Sequence, residues 1–372
     1  MNKFRIHKII AVILIILLIA GCLSGCGSSA PSTANNNANT APQGNSNASP
    51  SDSGNTVPSN TEKNEPKQEY KSGKDTAALL SEAEAYFYGA PGVKVDYSKA
   101  KELYTKALEK GSPLAAHMLA MLALADETES DWEKIMKEFD TLEQLAVLGA
   151  KDPAEKGDPE SCIAMGMVAI NTKEPKAGVR YLETAAKAEE PYSTMAMTAL
   201  GELYQKAGTK EDYDIAAEWF KRAADSGSKR AVYSLAQHYY LNMNAQAKAV
   251  EWWKKAQDAG YDVWYSLASS YTLLMDYNAA AEAYQKGMEA GNNACAYGLG
   301  NLYYAGAGVE KNYTKALELY ARYLKGRPSF EGKSHIDMNE KTIREYIDRM
   351  ISSGAVDKNT VLSIMGNDFL NK

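Results

Sequence analysis

The chain has 372 residues, 45% hydrophobic and 24% charged, and its 41 basic against 47 acidic side chains leave a formal net charge of −6. An acidic chain without a basic stripe excludes a nucleic-acid binder, whose affinity comes from neutralising phosphates. It also excludes a polybasic attachment to anionic lipid.

Lys3, Arg5 and Lys8 form a basic start, and an apolar run of 12 residues follows from Ile9 to Ala20. That run is too short to cross roughly 30 Å of hydrocarbon as a helix, which takes about 20 residues, but it suits the apolar stretch of a secretory signal. Next come Ile19-Ala20-Gly21-Cys22 and Leu23-Ser24-Gly25-Cys26. Each tetrapeptide resembles the lipobox of bacterial lipoproteins. The resemblance implies a signal peptide over residues 1–25 and acylation of the Cys26 thiol. Cys22 is the alternative, being nearer the apolar run, and a plain signal peptide with two idle thiols is another. Two acyl chains would anchor firmly, since each buried CH₂ contributes about 0.8 kcal/mol. The expected location is therefore the extracytoplasmic face of the cell membrane. Loss of residues 1–25 removes three positive charges and no acidic one, so the net charge becomes −9.

Residues 26–72 read as a tether. As far as residue 62 they are nearly all Ser, Asn, Ala, Thr, Pro and Gly, with Val57 the one large aliphatic side chain. Such a segment cannot bury enough apolar surface to offset its ordering entropy. A flexible stretch of about 45 residues reaches on the order of 35–40 Å.

Residues 73–328 repeat. Tyr104, Phe220, Trp253, Tyr284 and Tyr320 each follow a small residue by four, with a Glu between. All but Tyr320 precede another small residue by three, and Gly111, Gly227, Gly260 and Gly291 stand seven beyond the first four. Positions i, i+4 and i+7 share one helix face. The small residues let a neighbouring helix approach, the aromatic fills the space between them, and the Gly ends the helix in the left-handed conformation. Asp96, Asp212, Asp276 and Asn312 sit four before the leading Ala, as N-caps do. A second helix precedes each of these, with the pattern Leu-small-x-x-Tyr: Leu200-Gly201 to Tyr204, Leu235-Ala236 to Tyr239, Leu267-Ala268 to Tyr271 and Leu299-Gly300 to Tyr303. Ala83 to Tyr86 is a weaker first copy. The two helices of a unit are termed A and B in chain order.

The loops Gly89-Ala-Pro-Gly92-Val93 through Asp96 to Lys99-Ala100, and Gly306-Ala-Gly308-Val309 through Asn312 to Lys315-Ala316, complete the pattern. With them the sequence resembles the Sel1-like branch of the tetratricopeptide superfamily over about 75–328. The first loop has an extra residue between its glycines, and the second has Asn for Asp. The pattern is weakest at 113–190. There Pro113–Ala125 pairs with Trp132–Leu148, Ser161–Ile170 pairs with Lys176–Ala188, and Lys151 to Pro159 is an inserted loop. The resemblance implies an all-α, right-handed α-solenoid of about seven helix pairs. Residues 329–372 read as a C-terminal helical cap, with helices near 337–353 and 358–370 and with Asn359 or Thr360 capping the second. Terminal repeats need a polar outer face to close the core. A small separate module is the alternative there.

No constellation for catalysis is present. His117, His238 and His335 have no partner at metal-ligand spacing, and there is no H-E-x-x-H or C-x-x-C. No G-x-S-x-G or Walker loop occurs, and the glycines at 306–308 follow a helix where a phosphate cradle follows a strand. Cys162 and Cys295 read as two small buried residues, with a disulfide between them as the alternative. The chain is expected to be no enzyme and to need no metal or cofactor.

Helix A lines the concave groove of tetratricopeptide arrays, so the resemblance implies groove positions three before, one after and four after the small residue. Tyr233, Tyr265 and Tyr297, then Gln237 and Asn301, then Tyr240 and Tyr304 fall there, with Thr198, Glu202, Ser269, Gln205 and Thr272 at the same positions. Tyrosine gives rigid contact area with a polar tip. The competing reading is that these rings pack between helices. Two functions stay open: a protein-interaction scaffold or adaptor at the cell envelope, and a binder of cell-wall glycan or accessory factor for wall enzymes. A hydrolase with an unrecognised carboxylate pair is a weaker third.

Overall fold

The computed structural model describes residues 73–125, 131–172, 175–326, 338–366 and 369. The expected signal peptide, Cys22, Cys26, the tether and His335 lie outside the described residues.

Among the described residues there are sixteen α-helices, one short 3₁₀ helix and no strand. The first three pairs are α1 (Lys74–Tyr88) with α2 (Tyr97–Glu109), α3 (Pro113–Ala125) with α4 (Trp132–Glu155), and α5 (Pro159–Ile170) with α6 (Val179–Ala185). A 3₁₀ turn, Pro175–Gly178, leads into α6. The next four are α7 (Tyr192–Ala207) with α8 (Lys210–Asp225), α9 (Lys229–Leu241) with α10 (Gln246–Asp258), α11 (Trp264–Leu273) with α12 (Tyr277–Glu289), and α13 (Ala294–Ala305) with α14 (Tyr313–Gly326). Two more helices, α15 (Met338–Ser352) and α16 (Lys358–Met365), close the end. Each A helix packs on its own B helix, and each B helix on the next A helix. The described body is an α-solenoid of seven helix pairs with a helical cap.

Close approach within a pair comes from a ring meeting a residue without a side chain. A Cβ built on Gly201 of α7 would lie 2.5 Å from the ring of Phe220 on α8. One on Gly300 of α13 would lie 2.7 Å from Tyr320 on α14. Leu182 takes the same place against Gly166 in the third pair. The next pair is admitted in the same way: a Cβ on Gly287 of α12 would strike Cys295 of α13, and one on Gly298 of α13 would strike Tyr284 of α12. Tyr104, Phe220, Trp253 and Tyr320 are fully buried, and so are the small residues before them, Ala100, Ala216, Ala249 and Ala316.

Four B helices end alike. The backbone N–H of Ser112, Ser228, Tyr261 and Asn292 donates to the carbonyl five residues back, at 3.1, 3.0, 3.0 and 2.8 Å. Gly111, Gly227, Gly260 and Gly291 take φ of 92, 98, 99 and 92° just before them. This is the Schellman closure, which uses up carbonyls that the helix leaves free. Asp96 and Asp276 cap α2 and α12, accepting from the N–H of Lys99 and Ala279. Asn312 accepts from Lys315 N–H at 2.9 Å.

Four local expectations are corrected. Asp212 does not cap α8: Thr209 does, accepting from the Asp212 N–H, while Asp212 itself takes bonds from the Thr209 hydroxyl and from Lys176. The segment after Leu148 is no loop at first, because Ala146, Ala150 and Ala154 continue the buried face and α4 runs to Glu155 through Pro153. Its helical partner two steps on is shorter than expected, since 175–178 is a 3₁₀ turn and α6 ends at Ala185. Finally, Asp357 caps α16, not Asn359 or Thr360, and the helix stops at Met365 before Gly366 at φ 94°. Cys162 and Cys295 are buried and form no disulfide with each other.

His238 of α9 is a buried polar joint between pairs. Its Nε2–H donates to the Tyr213 carbonyl of α8 at 2.8 Å, which fixes the tautomer, and Nδ1 stands 3.3 Å from Gln205 of α7. Burial lowers its pKa below the ordinary imidazole value.

Two outcomes follow for stability. Gly201→Leu should cost about 1–3 kcal/mol through overpacking against Phe220, although Leu is the better helix former; a melting temperature unchanged or raised would mean the ring yields. For His238, the unfolded chain takes up a proton near pH 6.5 while the folded chain resists it. Stability is therefore intact above about pH 6.5 and declines as the pH falls from there toward the lowered folded value. Melting scans between pH 7.5 and 5.5 should show a steeper decline for the parent chain than for His238→Asn, and equal slopes would remove His238 from the account.

Candidate functional site

The groove positions sit beside the buried stripe of each A helix, so their side chains are half-buried. Tyr233, Tyr240, Tyr265, Tyr297, Tyr304, Gln237 and Asn301 are all in this class, with Glu202, Gln205, Ser269 and Thr272, whereas Thr198 is buried. The helices α9, α11 and α13 bring the seven named residues onto three consecutive pairs.

Each tyrosine has aromatic or hydroxyl company. Tyr233 stands 5.3 Å from Trp253 and 5.3 Å from Tyr261, centroid to centroid. The hydroxyls of Tyr240 and Ser269 are 2.8 Å apart, linking the fifth pair to the sixth. Tyr265 lies 5.8 Å from Tyr284, and Tyr297 lies 6.3 and 5.4 Å from Tyr320 and Tyr323. Asn301 accepts the Tyr320 hydroxyl at 2.9 Å. Tyr304 stacks on Tyr346 of the cap helix α15 at 4.3 Å, with planes 15° apart. The strip is thus a ladder of rings that pack between helices on one side and stay partly open on the other. Burial raises the phenol pKa of Tyr261 and Tyr284, so both remain neutral donors at physiological pH.

Two participants escape an inspection of helix A alone: Tyr261 follows the helix-ending Gly260, and Tyr346 lies in the cap. Tyr261 and Tyr346 are simply the residues that the closure of pair five and the cap carry to the strip. No periodic position marks either.

The structure does bring two carboxylates together, Glu84 of α1 and Glu202 of α7. Both are bound to the Arg230 guanidinium, at 2.8 and 2.5 Å. Burial raises the Glu84 pKa, and the Arg230 charge beside it opposes that shift. Glu160 of α5 is fully buried, accepting from the Ser112 and Tyr192 hydroxyls. His117 Nδ1 lies 2.7 Å from Glu143 Oε1 in the second pair. Among the described residues no group of three or more His, Cys, Asp or Glu side chains could hold a metal ion. Among them, too, no helix is long and apolar enough to cross a membrane. The recess between α14 and α16, lined by Arg322, Lys325, Glu318 and Ile364, lies apart from the strip, and the Arg322 guanidinium is spent on the Met288 carbonyl at 2.9 Å.

Comparison with known proteins agrees with this architecture. The family model described as Sel1 repeat matches residues 76–112, 194–228, 244–261 and 293–322. Over 271 residues the chain is 24% identical to chitin synthase regulatory factor 3 of Schizosaccharomyces pombe, a match that takes in 67% of this chain but only 28% of the yeast protein. Two solved structures are similar. One is a protective antigen with an SLR fold from uropathogenic Escherichia coli strains, at 21% identity and a TM-score of 0.41, covering 80% of this chain and 69% of that one. The other is a Sel1 repeat protein from Oxalobacter formigenes, at 20% identity and a TM-score of 0.36, covering 73% and 75%.

Proposed function

Since this chain carries Sel1 repeats at four places between residues 76 and 322, we propose that it is an interaction scaffold, lipid-anchored at the extracytoplasmic face of the cell membrane, which presents α9, α11 and α13 to a protein partner. The observation that carries this reading is the strip itself. Five tyrosines with Gln237 and Asn301 stand half-buried on three successive A helices. Rings fixed by neighbours lose little entropy on binding, and their open edges offer apolar area with hydrogen-bonding tips. Glu84 and Glu202, the two carboxylates that meet, are occupied by Arg230, which weighs against hydrolysis.

The anchor rests on the two lipobox-like tetrapeptides ending in Cys22 and Cys26. The tether up to residue 72 would lift the repeats away from the bilayer. A partner among cell-wall enzymes is the second reading. What favours it is the yeast relative's name as a regulatory factor of a chitin synthase; the chain spans little more than a quarter of that protein. In this reading the scaffold still binds protein, and direct glycan binding is the competing outcome.

Tyr265→Ala combined with Tyr297→Ala should weaken capture of a protein partner from envelope extract at least tenfold. Losing ring contacts worth about 0.5–1.5 kcal/mol each should lower the melting temperature by roughly 10 °C or less. Undiminished capture would remove the strip from the account, and binding of isolated wall glycan in place of protein would favour the competing outcome. For the anchor, cells fed a labelled fatty acid should label the parent chain and the Cys22→Ala variant but not Cys26→Ala. The reverse pattern would move the lipid to Cys22, and no label on any form would end the lipoprotein reading.

A further inference from the structure

Stacked repeats ordinarily touch only their neighbours. The first pair departs from this. Arg230, at the start of α9, donates from Nη1 to Glu84 Oε1 at 2.8 Å, across 146 residues and from the fifth pair to the first. Its Nη2 donates to Glu202 Oε1 of the fourth pair at 2.5 Å. The guanidinium also lies flat over Tyr88 at the end of α1, with Cζ 3.5 Å from the ring centroid. The three charged side chains are 19, 20 and 31% exposed, so water screens them little. A close approach of Pro91 to Gly260 joins the same two pairs a second time. A Cβ on Gly260, which ends α10, would lie 2.9 Å from Pro91 Cβ in the α1–α2 loop.

We propose that Arg230, Glu84, Glu202 and Tyr88 form a clasp that closes pairs one to five on themselves, fixing the curvature of that part of the array and making it one cooperative unit. Arginine suits the task where lysine would not. Its planar fork can meet two carboxylates at once while its face stacks on a ring. Burial works against the Arg230 charge, but the negative groups around it, Glu202 foremost, more than offset this and hold its proton more tightly than usual. Burial raises the Glu84 pKa, with Arg230 opposing. One cation against two carboxylates leaves no spare charge of the other sign, so removing Arg230 strands both anions beside each other.

The clasp also reaches the tyrosine strip. Tyr261 directly follows the Gly260 contact, and its ring lies against Tyr233. Opening pair one from pair five therefore disturbs the first rung of the ladder, while the rungs on α11 and α13 rest on contacts of their own. The clasp stands whatever the strip binds.

Hydrogen exchange on the full chain tests it. In the unaltered protein, α1 should exchange no faster than α9, although it begins the repeat array; exchange like a frayed end would show that the clasp is not held in solution. Arg230→Met should cut protection of α1 at least tenfold while leaving α13 and α14 within twofold of the parent. An equal loss in α13 and α14, or none in α1, would overturn the proposal. Arg230→Glu should behave like Arg230→Met, and adding Glu84→Arg with Glu202→Arg should restore α1 protection, since the charges are exchanged in place. A folded triple variant in which α1 stays exposed would count against the clasp.

Discussion

In the fourth and seventh helix pairs a ring on one helix finds a gap on the other. Phe220 and Tyr320 bring their whole rings to the places where Gly201 and Gly300 have no side chain. That contact sets how near the two axes lie, and hence how far the next pair must turn to cover the apolar side still exposed. Gly287 and Gly298 repeat the device one step on, between pairs. Neither helix of a pair could hide its apolar face alone, so the fold is the propagation of one contact, closed at the end by α15 and α16, whose Ile343, Ile347 and Val361 are fully buried.

That dependence explains what could be read in advance. Every feature that recurs with the repeat was legible: the rings, the small residues, the closing glycines, and the caps Asp96, Asp276 and Asn312. Features governed by a single local competition were not. Asp212 occupies the register position of a cap, but Thr209 comes first after Gly208 and can accept from the Asp212 N–H, leaving Asp212 free to bind Lys176. Pro153 reads as a helix breaker, yet it sits in the last turn of α4, where few later residues depend on it, and Ala150 and Ala154 continue the buried stripe on either side of it. The turn at Pro175–Gly178 ends on a glycine pressed against α5, where a Cβ would lie 2.8 Å from the Gly166 carbonyl oxygen.

For the tyrosine strip, packing between helices and a role in binding do not exclude each other. A position one helical step from the buried stripe is neither inside nor outside. Tyr297 leans on the buried Tyr320 and Tyr323, and Tyr240 meets Ser269, yet Tyr297 and Tyr240 stay half-exposed. A ring that is already immobilised by its neighbours has lost its rotamer freedom on folding, so it has little left to lose on binding. The packing that makes these residues structural is what would make them good contacts. At the far end Tyr346 of the cap covers one face of Tyr304.

A long-range contact such as that of Arg230 with Glu84 leaves no periodic trace, because no other pair needs it. Nearest-neighbour packing fixes each step only within a small angle, and over five pairs those errors accumulate. A buried guanidinium held between two carboxylates tolerates little displacement, since losing either partner leaves an uncompensated buried charge. The cost of such a charge is strongly geometric, which makes it a poor source of stability but a sharp selector among nearly equal curvatures. Repetition supplies the bulk of the folding energy, and a single unrepeated arginine selects which of the allowed arrays the chain adopts.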